Sequence, residues 1–240
     1  DKTVAILPVH LYGKPCKMDE LSLITKKYNL ELIEDCAQAH GAKYKNQFVG
    51  TFGVGCFSFY PTKNLGALGD GGAILCYEKW YMQKIKSLRN YGRDNKNHNK
   101  YLGYNSRLDE IQAGFLSTKL TILDEITKHK RELASLYLDN LNDRFIKPVV
   151  SADSYDVYHI FNIRHKDRDE LKKHLLKKEI KTEVHYSLPP HKQKSMRGII
   201  KGEYPISEEI HNTTLSLPIS YFHTKEDVLT VCKAINNWNE

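Results

Sequence analysis

The stretch FSFYPTKNLGALGDGGA at residues 57–73 decides the interpretation of this chain, together with ELIEDCAQAHGA at residues 31–42. In the first stretch Lys63 stands among aromatic, small and glycine residues, and in the second Asp35 closes the apolar run LELIED. Taken alone, each has an ordinary explanation. Most lysines in glycine-rich loops are solvated, an acid after an apolar run is commonly a turn residue, and GDGG at residues 69–72 is typical of a tight turn. A P-loop is excluded, because no Gly-Lys-Ser or Gly-Lys-Thr follows the glycines.

Taken together, the lysine and the acid suit the chemistry of pyridoxal phosphate. This cofactor is an electron sink whose ring nitrogen draws electrons best when it is protonated. A carboxylate beside that nitrogen favours the charged form, and Asp35 is the candidate. A lysine amine can hold the ring aldehyde as an imine, exchange it for a substrate amine and then move a proton. Lys63 is therefore the candidate catalytic lysine.

Five separated motifs extend this pattern over the whole chain, in the order PVHLYG, EDCAQAHGA, FSFYPTKNLGALGDGGA, GYNSRLDEIQA and LSLP, from residue 8 to residue 218. The set resembles the DegT/DnrJ/EryC1/StrS family of sugar aminotransferases. The resemblance implies the α/β architecture of aspartate aminotransferase, the fold type I of pyridoxal-phosphate-dependent transferases. That fold has a mostly parallel large-domain sheet and a smaller C-terminal α+β domain.

The apolar pattern agrees with this architecture, because strands and helices alternate in the first half of the chain. It predicts strands at residues 4–9, 30–33, 55–60 and 73–77, and helices at residues 18–28 and 79–89. A capping box of Ser106 and Asp109 predicts a long helix that runs to Leu141 and bridges two domains. Further elements are predicted at residues 158–164, 167–177, 182–185, near Ser207 and at 224–238. We expect a large cofactor-binding domain over residues 1–120, incomplete, and a small domain over residues 121–240.

Composition and charge limit the function classes. The 240 residues are 40% hydrophobic and 27% charged, which allows a sizeable core and up to two domains. No apolar run reaches membrane-spanning length and no signal peptide is visible. The five cysteines form no CxxC pair, which favours reduced thiols in the cytoplasm. The net charge of +7 could attract a nucleotide-sugar or a nucleic acid, but a solvated lysine-rich surface explains it more simply.

One departure from the family pattern concerns the start of the chain. Family members carry an N-terminal portion upstream of the PVHLYG-like motif, with sheet strands, a phosphate-binding turn and an aromatic residue that stacks on the cofactor ring. Here the chain opens at Asp1, directly before that motif. We therefore expect a truncated chain that is inactive alone. A non-catalytic remnant or partner subunit stays open as an alternative, and so does a nucleic-acid-binding protein.

The resemblance assigns further cofactor contacts. Gln38 matches a glutamine near the ring hydroxyl, and Ser58 matches a serine that binds the cofactor phosphate. Asn105 matches an asparagine that reaches the phosphate in the neighbouring subunit, which implies a homodimer with shared active sites. The simpler alternatives are a turn amide for Gln38, a filler position for Ser58 and a helix N-terminus for Asn105.

Substrate contacts are predicted at Tyr60, before the lysine, and at His185 and Tyr186 in HYSLPPH, residues 185–191. A lone histidine at a strand end is more often structural. No metal site is predicted, because the eleven histidines show no paired spacing.

The implied reaction is a transamination from L-glutamate to a nucleotide-linked keto-sugar. Related enzymes that dehydrate instead of transaminate carry histidine in place of the lysine, so Lys63 argues against that branch. The HYSLPPH loop is similar to that of enzymes acting on 3-keto sugars, which predicts a dTDP-3-keto-6-deoxyhexose substrate and an amino sugar for a surface glycan such as lipopolysaccharide O-antigen. The alternative is amination at C4 of a UDP-, GDP- or dTDP-4-keto-6-deoxyhexose.

Overall fold

The apolar runs of the first hundred residues pair side by side into a sheet. A computed structural model describes residues 2–96 and 98–239. In these residues the strands are β1 Ala5–Ile6, β2 Glu31–Asp35, β3 Lys43–Tyr44, β4 Gln47–Phe48, β5 Val54–Ser58, β6 Gly72–Leu75, β7 Ser154–Tyr155, β8 Phe161–Arg164 and β9 Thr214–Leu217. The helices are α1 Met18–Tyr28, α2 Lys79–Leu88, α3 Glu110–Leu120, α4 Leu123–Asn140, α5 Arg168–Lys177, α6 Pro205–Thr213 and α7 Lys225–Asn236.

The main sheet has the strand order β1-β2-β5-β6. The β1–β2 and β2–β5 pairs are parallel, as the strand–helix–strand pattern predicts, whereas β6 is antiparallel to β5. Helix α1 connects β1 to β2 over the residues predicted for it. It has acidic residues in its first turn and lysines in its last turn, and it ends at Asn29 in the left-handed conformation.

The predicted long helix is wrong in two respects. Residues 106–109 are not helical, and α3 begins only after Asp109. The backbone amide of Ser106 instead donates to the carbonyl of Arg89. The helix is then interrupted between Leu120 and Leu123. At the break the hydroxyl of Thr121 donates to the carbonyl of Thr118 at 2.8 Å, a carbonyl that a continuous helix would pair with residue 122.

The chain divides into two compact units. The first contains the described residues up to Thr127 together with Ser151–His159, so it holds β1 to β7 and α1 to α3. The second contains Lys128–Val150 and the described residues from Ile160 onward, and the division falls within α4.

In the second unit β8 pairs antiparallel with β9, and helix α5 packs against β9 and against α7. Its interior contains stacked Tyr137 and Phe161 rings at 4.8 Å, and the Tyr137 hydroxyl donates to the carbonyl of Pro218. Helix α7 begins with a capping box between Thr224 and Asp227. The strand predicted at residues 182–185 is reduced to a single bridge between Glu183 and Ser216.

Candidate active site

Two neighbouring parallel strands end at the same edge of the sheet, and most of the predicted site residues of the first unit lie there. Asp35 is the last residue of β2 and pairs with Cys56, while Ser58 is the last residue of β5. The loop after β5 carries Tyr60 and Lys63. The carboxyl ends of parallel strands are where open α/β sheets bind ligands.

The backbone of Asp35 is held by two hydrogen bonds, whereas only one of its two carboxylate oxygens has a partner among the described residues. Its amide donates to the carbonyl of Pro8 at 2.9 Å, and its carbonyl accepts from the amide of His10 at 3.1 Å. One carboxylate oxygen, Oδ1, accepts from the amide of Ala37 at 3.0 Å. Among the described residues Oδ2 has no hydrogen-bond partner, so this carboxylate can accept a proton-bearing ring nitrogen.

Lys63 is half-buried, and its backbone amide donates to the carbonyl of Tyr60 at 2.9 Å. Burial lowers the pKa of its amine below the usual lysine value, while the negative charge of Asp35 opposes that shift. The two side chains are therefore close enough to interact electrostatically. A lysine with a lowered pKa has more neutral amine near neutral pH, and the neutral amine is the form that attacks an aldehyde.

Gln38 and Ser58 lie near the same edge. The side-chain oxygen Oε1 of buried Gln38 accepts from the backbone amide of Tyr12 at 2.6 Å, which identifies the NH₂ end of this side chain as its donor. The hydroxyl of Ser58 accepts from the amide of Tyr60 at 3.3 Å. The ring of Tyr60 is half-exposed.

Asn105 is not brought to the lysine loop by any hydrogen bond among the described residues. It is exposed, forms a bridge with Asn90, and its side-chain oxygen accepts from Nε of Arg107 at 3.2 Å. The alternative interpretation as a helix N-terminus is wrong, because Asp109 occupies that position.

His185 and Tyr186 belong to the second unit. Nδ1 of His185 lies 2.9 Å from the hydroxyl oxygen of Ser216 on β9, and its ring meets the Tyr186 ring edge-on at 5.4 Å. Tyr186 is half-exposed. The histidine is thus oriented by a strand, and part of the tyrosine ring faces solvent.

The role of Glu34, the residue before Asp35, was not predicted from the sequence. Strand alternation puts its side chain on the other face of β2, where it is fully buried. Its carboxylate accepts from the backbone amides of Gly50, Phe52 and Gly53 at 2.8 Å each, and it pairs with Nε2 of His10 at 3.1 Å. Burial opposes its ionisation, but these hydrogen bonds prevail and hold the pKa of Glu34 below its usual value.

His10, Glu34 and Cys36 place possible metal-ligating atoms within 4.8 Å of one another. The Glu34 oxygens are already engaged, and Nδ1 of His10 accepts from the amide of Cys16 at 3.1 Å. Burial raises the pKa of the Cys36 thiol far above its usual value. The cluster therefore stabilises the fold through its own hydrogen bonds.

His40 is a second residue whose role the sequence did not indicate. It is 3% exposed, lies between the rings of Phe57 and Phe59 at 5.6 and 5.9 Å, and neither ring nitrogen has a hydrogen-bond partner among the described residues. Burial lowers its pKa to about 4. The Ser58 backbone opposes this shift, and the positive charges of Lys63 and Lys119 add to it.

A half-buried lysine beside a carboxylate at the carboxyl edge of a parallel sheet defines a candidate pyridoxal-phosphate enzyme. The family model for the DegT/DnrJ/EryC1/StrS aminotransferases matches residues 1–236. The chain therefore belongs to that family. The family and the α/β fold predicted from the sequence are thereby confirmed.

Two curated relatives and one solved structure illustrate the similarity. A dTDP-3-amino-3,6-dideoxy-alpha-D-galactopyranose transaminase of Aneurinibacillus thermoaerophilus is 47% identical over 239 residues, covering 99% of this chain and 66% of the relative. A dTDP-3-amino-3,4,6-trideoxy-alpha-D-glucose transaminase of Streptomyces venezuelae is 39% identical over 244 residues, covering 100% of this chain and 64% of the relative. The crystal structure of S. venezuelae DesV in complex with a ketimine intermediate superimposes with a TM-score of 0.95 at 40% identity, covering 99% of this chain and 65% of that one.

The chain thus spans just under two thirds of the length of these relatives. None of the helices in the described part of the chain combines the length and the apolar character needed to cross a membrane.

Proposed function

We propose that the full-length protein is a pyridoxal-phosphate-dependent aminotransferase that moves an amino group from L-glutamate to a nucleotide-linked keto-sugar. The observation that carries the proposal is the pair of Lys63, with its lowered amine pKa, and Asp35, with its open carboxylate oxygen. Membership of the family and the transaminase names of the relatives support it. The 240 residues alone are expected to be inactive, because about a third of the length of the relatives lies outside the part matched here.

The residues present fit the cofactor, and each has a defined task. When bound, pyridoxal phosphate supplies the electron sink and carries the amino group between the two half-reactions. Lys63 holds the cofactor through its amine and moves the proton at the substrate carbon. Asp35 keeps the ring nitrogen protonated.

Three further residues hold the cofactor in this proposal. The NH₂ of Gln38 donates to the ring hydroxyl, and Ser58 binds the phosphate. Asn105, exposed on the surface of the first unit, reaches the phosphate in a second copy of the chain, so the active enzyme is a homodimer.

For the acceptor we propose a dTDP-linked 3-keto-6-deoxyhexose, giving a 3-amino-3,6-dideoxyhexose for a surface glycan such as lipopolysaccharide. The first relative, at 47% identity, is named for such a 3-amino sugar. His185 and Tyr186 are the proposed sugar contacts from the HYSLPPH segment, with Tyr60 from the lysine loop. Bulky residues in such a segment decide which sugar carbon can meet the cofactor.

The test offers the full-length enzyme the 3-keto and the 4-keto isomers separately, with glutamate, and locates the new amine by NMR. Amination at C3, absent in Lys63→Ala, supports the proposal. Amination at C4 overturns the assignment of the sugar carbon but keeps the aminotransferase class. No amination of either isomer, with dTDP, UDP or GDP as carrier, contradicts the class itself.

A further inference from the structure

Among the described residues, the loop that carries Lys63 makes its backbone hydrogen bonds at its base and between Lys63 and Tyr60. The backbone amide of Phe59 donates to the carbonyl of Gly71 at 2.7 Å, and the amide of Ala67 donates to the carbonyl of Phe59 at 2.8 Å. The residues between need other partners to keep one conformation. Buried Asn64 supplies one, since its side-chain NH₂ donates to the carbonyl of Val157 at 3.0 Å.

Helix α3 supplies two more side-chain contacts. The amine of Lys119 donates to the carbonyl of Gly66 at 2.9 Å, and the side-chain oxygen of Gln112 accepts from the backbone amide of Leu68 at 2.8 Å. Both contacts reach backbone atoms, so they fix the path of the loop irrespective of its side chains.

These two residues share one face of the helix. Gln112, Leu116 and Lys119 stand four and then three residues apart, which aligns them along one stripe. Leu116 is buried between the polar pair and packs in one cluster with Leu65 and Ala67 of the loop. The stripe therefore holds the loop by an apolar contact flanked by two hydrogen bonds.

The glycines of the loop permit this close packing. A side chain at Gly66 would overlap the carbonyl oxygen of Pro61, and a Cβ at Gly69 would lie 3.0 Å from Nε2 of Gln112. Neither glycine has a left-handed backbone, so they are needed here for space rather than for a turn.

We propose that Gln112 and Lys119 are positioning residues that hold the Lys63 amine in register with Asp35, an inference that rests on the proposed function. Lys63 lies three residues before Gly66, so a loop released from α3 no longer fixes the amine. Misplacement of a reacting group by about 1 Å can cost on the order of 100-fold in rate.

The test compares Gln112→Leu and Lys119→Met in the full-length protein with conservative variants and a control. Gln112→Glu keeps the acceptor and Lys119→Arg keeps a donor, so both are expected to stay near wild type. Thr118→Ala is the matched control, because the Thr118 hydroxyl donates only within α3, to the carbonyl of Gly114.

Three readouts are needed. The disruptive variants are expected to lower kcat about tenfold or more with KM for glutamate changed less than threefold, since the loop positions the reacting group rather than binding the donor. They should also shift the pH midpoint of the absorption band of the lysine-bound cofactor. In the cofactor-free protein, hydrogen exchange of residues 63–68 should accelerate at least tenfold.

The outcomes separate this inference from the proposed function. If wild-type protein binds cofactor at Lys63, but the disruptive variants match Thr118→Ala in all three readouts, the positioning role is overturned and the function stands. Equal losses in the conservative and disruptive variants also overturn it. If wild type binds no cofactor, the proposed function fails, and unchanged exchange in the variants would then overturn the loop contact as well.

Discussion

The polar side chains on the two faces at the end of strand β2 differ in how many hydrogen bonds they make. On one face Glu34 accepts from three backbone amides and pairs with His10, whose other ring nitrogen is also engaged. On the other side Asp35 uses one carboxylate oxygen, and the Lys63 amine makes no hydrogen bond among the described residues. His40, deeply buried nearby, has both ring nitrogens unpartnered within the same part of the chain.

This difference distinguishes a structural carboxylate from a candidate catalytic one in adjacent residues. A buried polar group with all its partners stabilises the fold, because losing one partner leaves the others unpaired in a medium of low polarity. A group with an open acceptor or donor contributes little to stability and is available to a ligand. Substitutions on the two faces should therefore separate stability from chemistry.

The largest expected effect is the loss of activity on substituting Lys63, which lies on the face of Asp35. Lys63→Ala should abolish amination by the full-length protein, since the proposed function assigns both the bond to the cofactor and the proton transfer to this amine. Its thermal midpoint should change by less than about 3 °C, because the amine makes no hydrogen bond within the described part of the chain. Lys26→Ala, at an exposed position of α1, is the control and should retain full activity; activity in Lys63→Ala would contradict the assignment.

The next largest effect is the loss of stability on substituting Glu34, on the opposite face. Glu34→Gln places an NH₂ among donors that all require an acceptor, so it should lower the free energy of unfolding by about 3–5 kcal/mol. Urea unfolding followed by circular dichroism measures the change. A loss of less than about 1 kcal/mol would show that the network around Glu34 does not hold loop 50–53, and the contrast between the two faces would fail.

The same carboxylate-to-amide change at the next residue should act on rate instead. Asp35→Asn should retain some cofactor and nearly wild-type unfolding, while the amination rate falls on the order of 100-fold because the ring nitrogen loses its negative partner. Steady-state kinetics and urea unfolding on one preparation give both numbers. A destabilisation matching that of Glu34→Gln, with no specific loss of rate, would contradict this prediction.

The smallest effect concerns pH and the unpartnered histidine. Because the pKa of His40 is lowered from 6.5 to about 4, the unfolded chain binds a proton between these values that the folded chain does not. The contribution of His40 to stability is therefore fully present above about pH 6.5 and is lost as the pH falls toward 4. NMR titration of the ring protons measures the pKa directly, and titration near pH 6.5 would show that the ring is not held neutral by burial.

Sequence reasoning predicted the elements with long periodic patterns and the residues with distinctive chemistry. Helix α1 and the placement of Asp35 and Lys63 at one sheet edge are examples. The small sheet of β3, β4 and β7 was not predicted, since two-residue strands show no periodicity. The partners of Glu34 and the reach of Lys119 to Gly66 were also missed, because hydrogen bonds between distant backbone and side-chain atoms leave no local pattern.

The binding of pyridoxal phosphate to Lys63 is tested most directly by borohydride reduction. The full-length protein is incubated with the cofactor, reduced, digested and mapped by mass spectrometry. We predict a single reduced adduct on the peptide that contains Lys63, absent from Lys63→Ala and unchanged in Lys26→Ala. An adduct on another lysine, or no adduct at all, would contradict it.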